Sequence, residues 1–293
     1  VSKAEHHSVL LPFQELAART GATLKWFDLD SEGRILSNTA DEVITERTKI
    51  VAVTHVGNTT GAITDIAPMV KRAHEVGAVV VLDACQSVPH LKIDLHALDV
   101  DFAAWSAHKM YGPTGVGFLY GKRDMLEALP PANFGGSMVE LAWMDQEAQY
   151  MAPPARFEAG TQPVAQVVAA GVAAEWLMNI GMENLEAHER VIAGELLKMG
   201  QIDGVRILGP QTNEQRIGTV AFEIDGVHPH DVGQFIDAQG IAIRVGHHCA
   251  QPVHRHFGVY ASNRASSGIY NSVEDAQALV EALKKVRPFF GVE

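Results

Sequence analysis

Residues 49–56, KIVAVTHV, and 78–83, AVVVLD, decide the fold. Both are short runs rich in β-branched residues, the composition of strands buried on both faces. Between them Ile66, Met69, Val70, Ala73 and Val76 recur at helical spacing, with Asp65 near the start and Gly77 just past the end. Strand, helix, strand in this order makes a β-α-β unit. It predicts an α/β architecture, a mainly parallel sheet flanked by helices.

Outward from this unit the pattern continues. Residues 101–107 (DFAAWSA) and 115–120 (GVGFLY) read as strands, and the Ala-rich stretch 165–178 as a helix. Beyond Gly181 the elements change character. Helices are expected at 183–199, 231–238 and 273–286, with strands at 205–208, 218–224 and 241–245. This predicts a large domain over 1–180 and a smaller C-terminal α+β domain over 181–293.

Composition narrows the function. The 293 residues are 47% hydrophobic and 20% charged, which fits a folded globular chain and not a disordered one. Lys plus Arg is 23 and Asp plus Glu is 35, a formal charge of −12, so DNA or RNA is not an expected partner. The apolar run 164–178 is interrupted by Gln166, Gly171 and Glu175, so no membrane span is expected. Only five apolar residues, 9–13, follow Glu5-His6-His7, which predicts no signal peptide. Two cysteines cannot build a disulfide framework, which points to a reducing, cytoplasmic setting.

Ligands in open parallel sheets sit beyond the carboxyl ends of the strands. Asn58 follows one such end, Asp83 closes the next with Gln86 three residues on, and Ser106, His108 and Lys109 close a third. Alone, Asp83 reads as a turn-capping acid and Lys109 as a solvated surface lysine. Together they differ. A lysine held on rigid backbone by the Gly112-Pro113-Thr114-Gly115 turn is a nucleophile towards carbonyls, and a carboxylate one strand away can pair with a ring nitrogen. That pair suits pyridoxal phosphate.

A second cluster is Arg244-Val245-Gly246-His247-His248-Cys249, followed by Ala250, Gln251 and Pro252. A cysteine among cationic groups can be held as the reactive thiolate, although a buried inert thiol is the common fate of free cysteine. His254 and His256 follow closely, but the spacing matches no regular zinc pattern, so no metal is assigned. Cys85 is read as a packing residue. His6 is either a surface or capping residue or a flat ring able to stack on a cofactor. Thr161 either caps a helix or touches a phosphate, and Arg264 is either a surface ion-pair residue or a carboxylate clamp.

The stretches EHHS at 5–8, THVGNTTG at 54–61, LDACQS at 82–87, SAHKMYGPTGVGFLYG at 106–121, RFEAGT at 156–161, RVGHHCAQP at 244–252, and RAS with YNS within 264–272 occur in one consistent order. On these the chain resembles the class V aminotransferases of pyridoxal-phosphate fold type I. It is most similar to the cysteine desulfurases of the SUF iron–sulfur assembly system. The resemblance implies that Lys109 carries pyridoxal 5'-phosphate, that Asp83 pairs with the ring nitrogen, Gln86 with the ring hydroxyl, and that His6 stacks on the ring. It implies phosphate contacts from Ser106 and His108, and from Thr161 across a homodimer interface. Asn58, Arg264 and Arg244 are implied to bind the substrate L-cysteine, and Cys249 to be the nucleophile that carries a persulfide to a SUF-type sulfur-acceptor protein. Selenocysteine lyase-like chemistry, another class V activity, or a truncated non-catalytic chain are the alternatives. The resemblance also implies a phosphate-binding turn in a segment ahead of residue 1, so the chain, starting at Val1, is expected to be N-terminally incomplete.

Overall fold

The computed structural model describes residues 1–292. Two helices, α1 (His7–Thr20) and α2 (Ala40–Val43), precede the first strand, β1 (Ile50–Thr54). Helix α3 (Ala67–Glu75) then crosses to β2 (Val79–Asp83), which lies parallel to β1. Val51 to Thr54 are all buried, as a strand covered on both faces must be. Helix α3 starts with Pro68 in its first turn, where no amide partner is lost. It turns Met69, Val70 and Ala73 onto the sheet, and each large apolar side chain so covered contributes about 1.5–3 kcal/mol. Gly77, at φ +73°, ends it with the left-handed residue that sequence patterning anticipates.

Strand β3 (Phe102–Ser106) adds in parallel to β2, and β4 (Gly117–Gly121) returns antiparallel along β3. The sheet order is β1-β2-β3-β4, mostly parallel as expected, with an antiparallel edge. After α4 (Arg123–Ala128) a small hairpin, β5 (Val139–Leu141) and β6 (Gln149–Tyr150), leads into α5 (Val164–Ile180). Gly181, at φ +88°, joins α5 to α6 (Met182–Leu197), with a bend of 78° between the two helical segments.

The second sheet is antiparallel. It contains β7 (Val205–Ile207) and β8 (Thr219–Ile224), then, after helix α7 (Pro229–Asp237), β9 (Arg244–Gly246). Helix α8 (Gln251–His256) leads to β10 (Ser262–Ser266), and the order is β7-β8-β10-β9. Helices α9 (Val273–Leu283) and α10 (Val286–Phe290) complete it, α9 opening with a Ser272–Asp275 capping box.

One expectation is corrected here, and one strand was not expected. The strand expected at 241–245 runs over Arg244–Gly246 instead; Ile241 and Ile243 pack on the second core from outside the ladder. Strand β10 lies between β8 and β9, yet SNRAS has no apolar alternation, because Ser262 and Arg264 serve polar contacts inside the protein.

Two large hydrophobic cores form, beside a small cluster of Met110, Leu177 and Leu185. The second contains Phe222, Ile236 and Leu279. The first is built on Val51, Val53, Val80 and Leu82, and it also takes in Ala250 and Val253, from the chain just after Cys249. The turn carrying Cys249 is thereby seated against the parallel sheet. Gly61 marks the same junction. It stands at φ +71°, and a Cβ there would lie 2.4 Å from the Thr219 carbonyl oxygen, so only glycine fits. Among the described residues no single helix is long and apolar enough to cross a membrane.

Candidate active site

Lys109 ends the short 3-10 turn Ala107–Lys109 directly after β3. Asp83 is the last residue of β2 and pairs in register with Ala104 of β3. The two chemistry-bearing residues therefore leave neighbouring parallel strands at the same sheet edge. One Asp83 oxygen accepts the Cys85 amide at 2.9 Å. Lys109 has no ion pair among the described residues.

His6 reaches the same edge from the N-terminal side. It caps α1, its Nδ1 accepting the Ser8 amide at 3.1 Å with the Ser8 hydroxyl at 2.7 Å. An accepting Nδ1 puts the proton of the neutral ring on Nε2. Burial, with Lys109 next, holds His6 below the ordinary histidine range, and Asp83 opposes that. The adjacent Glu5 is 1% exposed and accepts the Thr54 amide at 2.8 Å and the Ser2 hydroxyl. Burial first, and Asp83 among the further causes, raises its carboxyl to about 7.

Cys249 arrives from the other sheet. Its amide follows a glycine turn after β9, and both His248 (φ +51°) and Cys249 (φ +58°) occupy the left-handed region. Such conformations cost on the order of 1–3 kcal/mol each and persist only where surroundings enforce them. Here the enforcement is visible. Asn58 Nδ2 donates to the His248 carbonyl at 2.6 Å, the His7 amide donates to the Cys249 carbonyl at 2.8 Å, and the Gln251 amide donates to His7 Nε2 at 3.3 Å. Thus residues 7 and 58 clamp the turn against the strand ends that carry Asp83 and Lys109.

Arg264 on β10 completes the cluster. Its Nη1 donates to the Asn58 carbonyl at 2.9 Å, while its buried Nε has no partner. Burial and Arg244 lower its pKa to about 10, with Cys249 acting in the opposite direction. A half-buried guanidinium beside a second arginine, with no carboxylate paired to it, is a ready anion site. Arg244 itself is exposed on β9 and lies within electrostatic reach of His6, His248 and Arg264.

The structure thus brings together Lys109, Asp83, His6, Asn58, Cys249, Arg264 and Arg244. Ser106 lies beside Cys85, close to Asp83. His108 is exposed on the turn with Lys109, and Gln86 is half-buried just past β2. Thr161 is exposed ahead of α5, with no hydrogen bond to the cluster among the described residues. Cys85 is pushed up to about 11 by burial and Asp83, which suits its reading as an inert packing residue. Of the histidines near Cys249, His256 bonds the Asp30 carbonyl at 2.7 Å, and no three metal-binding side chains converge among the described residues. Sequence reasoning gave no role to His7, Glu5 or Ser262. The first two sit inside the EHHS motif, but only the fold shows that their partners are Cys249, Gln251 and Thr54.

The donor set fits pyridoxal phosphate on its ring side: an unpaired lysine amine, a carboxylate on the next strand, and a neutral imidazole between them electrostatically. Arg264, with its unpartnered Nε, fits an amino-acid carboxylate.

Comparison with known proteins agrees. A family model described as aminotransferase class-V matches residues 1–279. A probable cysteine desulfurase of Mycobacterium leprae is 49% identical over 293 residues, covering 100% of this chain and 69% of that protein. One of Streptomyces coelicolor is 46% identical, covering 99% and 70%. Among solved structures, a cysteine desulfurase of Escherichia coli superposes with a TM-score of 0.94 at 36% identity, over 98% of this chain and 71% of that one. One from Thermococcus onnurineus also gives 0.94, at 34% identity, over 98% and 72%. The chain belongs to the aminotransferase class-V family, on the branch of its cysteine desulfurases.

Proposed function

We propose that this protein is a pyridoxal-phosphate-dependent cysteine desulfurase that converts L-cysteine to L-alanine and carries the released sulfur as a persulfide on Cys249. The observation that carries the assignment is the convergence of Lys109 and Asp83, from adjacent strand ends, with a Cys249 turn clamped by His7 and Asn58.

Lys109 would hold the cofactor through its amine, Asp83 its ring nitrogen and His6 its face. Ser106, His108, Gln86 and Thr161 are the proposed contacts to its phosphate and hydroxyl groups. Bound, the cofactor supplies an electron sink conjugated to the substrate α-carbon. The residues of the chain do the rest. Arg264, with Asn58 and Arg244, orients the substrate α-carboxylate. Lys109 Nζ is the base that moves the α-proton. His6, with its proton on Nε2, packs on the ring and helps exclude water. Cys249 Sγ attacks as thiolate, because the neutral thiol is a poor nucleophile. The bond from Cys249 Sγ to the substrate sulfur forms as the Cβ–S bond breaks. The pair from that bond stays with carbon and is protonated, which leaves alanine.

The finer reading follows from the same residues. Cys249 sits half-exposed on a short, clamped turn and not on a long loop, which supports transfer to a dedicated SUF-type acceptor protein for iron–sulfur cluster assembly in the cytoplasm. Val164, Val168, Val172 and Trp176 recur every four residues along the exposed face of α5, 64%, 63%, 61% and 45% accessible. Such a stripe supports a homodimer, with Thr161 just ahead of it serving the partner. We read residues 1–180 as the cofactor-binding domain and 181–293 as the small domain bearing Cys249.

Pyridoxal phosphate followed by borohydride reduction tests the assignment. Mass spectrometry should find the adduct on Lys109 and not in Lys109→Ala, and Cys249→Ser should abolish alanine formation. An adduct elsewhere removes the cofactor assignment, and undiminished turnover in Cys249→Ser removes the persulfide and leaves a lyase-type elimination.

A further inference from the structure

Behind the Cys249 turn runs a chain of three buried polar side chains that the reaction above leaves unused. His248 Nε2 lies 3.0 Å from Ser262 Oγ, and His254 Nε2 lies 2.9 Å from the same oxygen. The three residues are 3%, 0% and 2% exposed. At its far end, His254 Nδ1 lies 3.1 Å from the Ala250 carbonyl.

The Ala250 carbonyl sets the first proton in this chain, and the Gly246 carbonyl is a further backbone partner of His254. A carbonyl oxygen only accepts, so His254 Nδ1 carries the proton and Nε2 of the neutral ring is a lone pair. The Ser262 hydroxyl must donate to it. The Ser262 oxygen then accepts the Nε2–H of His248, whose Nδ1 is left bare and unpartnered. Burial keeps both rings neutral, His248 held down to about 3 and His254 below the ordinary range. The chain begins at His248 and ends at Ala250, the two neighbours of Cys249. It holds the strained turn from β10, through atoms other than those held by Asn58 and His7.

Resting on the desulfurase reading, we propose that Ser262 is a positioning residue for sulfur transfer, its hydroxyl bridging His248 and His254 so as to lock the left-handed turn that presents Cys249 Sγ to the substrate. Ser262 touches neither substrate nor cofactor. Its effect reaches the chemistry only through the orientation of that turn, so it bears on the rate of the step made by Cys249 and not on capture of L-cysteine, which falls to Arg264 and Asn58.

The test uses the full chain loaded with pyridoxal phosphate. Ser262→Ala removes one oxygen and leaves the buried volume nearly unchanged. Turnover should fall tenfold or more while KM for L-cysteine stays within twofold and the visible absorption of the bound cofactor is unaltered. Hydrogen–deuterium exchange of the peptide spanning 247–252 should accelerate at least tenfold, with β1 and β2 unchanged. Ser262→Thr, which keeps the hydroxyl, should restore both turnover and protection. His254→Asn breaks the chain from its other end and should give the same split as Ser262→Ala, so it serves if that variant does not fold. Wild-type exchange over 247–252 in Ser262→Ala, or equal loss in Ser262→Thr, overturns the proposal. If the desulfurase reading fails instead, the wild-type chain makes no alanine, yet the exchange of 247–252 still responds to Ser262→Ala.

Discussion

Arg264→Lys separates the anion-binding role of Arg264 from a structural one. The wild-type guanidinium spends Nη1 on the Asn58 carbonyl at 2.9 Å, and its Nε is buried without a partner. The Nε edge is therefore the free side of the fork, the side that can take a carboxylate with two parallel bonds. Lysine keeps the charge and loses the fork. It can satisfy Asn58 or the substrate with good geometry, but not both. One lost charge-assisted bond is worth about 1.5–3 kcal/mol, which at about 1.4 kcal/mol per decade corresponds to roughly a 10- to 150-fold rise in KM for L-cysteine. The free protein should respond in the opposite sense or not at all, because a half-buried cation beside Arg244 with no counter-charge contributes little to folding. The assay is initial-rate alanine production across cysteine concentrations, with Tm measured on the same samples. A KM within threefold of wild type together with a lowered Tm would show that Arg264 is a strut, and the carboxylate assignment would be wrong.

Three further outcomes follow from specific contacts. Glu5, fully buried, titrates near 7 in the folded chain against 4.5 for the free side chain. A raised folded pKa favours the protonated form, so its contribution is complete below pH about 4.5 and is lost as pH rises through about 7, on the order of 3 kcal/mol in all; Glu5→Gln should flatten the denaturation midpoint over that window, and an unchanged profile refutes the assignment. Gly61→Ala places a methyl group 2.4 Å from the Thr219 carbonyl at φ +71° and should cost about 2–4 kcal/mol in urea unfolding; a loss below 1 kcal/mol would mean the junction relaxes freely. Val168→Asp in the middle of the exposed α5 stripe should convert a dimer to monomers in sedimentation experiments, and a persisting dimer would place the interface elsewhere.

The parallel sheet was legible because burial on both faces leaves a direct trace in residues 49–56 and 78–83, and the helix between them shows 3.6-residue periodicity. The anchoring of Lys109 was legible for the same reason: the strand that delivers it is apolar up to Trp105. Strand β10 was hidden because Ser262 bridges His248 and His254 behind the Cys249 turn and Arg264 bonds Asn58, polar roles that erase the alternation that marks a strand. Helix α1 was hidden by its exposure: only Leu10 is fully buried, and Pro12 interrupts the pattern. The clamp of His7 on Cys249 joins residues 242 positions apart and has no local signature at all. Spacing can nominate a lysine and a cysteine, but it cannot show that a backbone amide beside the first motif holds the second.

The expensive features of this chain are concentrated in one place. Two consecutive left-handed residues, an arginine without a counter-ion, a carboxyl raised to about 7 and a bare histidine nitrogen all lie around the end of the parallel sheet. Above pH about 7 none of them stabilises the fold, and a sequence selected for stability alone would replace each. They persist because the surroundings over-determine them: Ala250 and Val253 are packed in the first core, and Asn58, His7 and Ser262 each hold a different atom of the Cys249 turn. Rigid seating of this kind suits a nucleophile that must meet a sulfur atom at one defined distance, since misplacement by about 1 Å can cost a hundredfold in rate. The same rigidity carries a consequence for release. On the proposed function, a persulfide on a turn held at this many points would be collected where it is formed, which is the reason for proposing an acceptor that comes to Cys249.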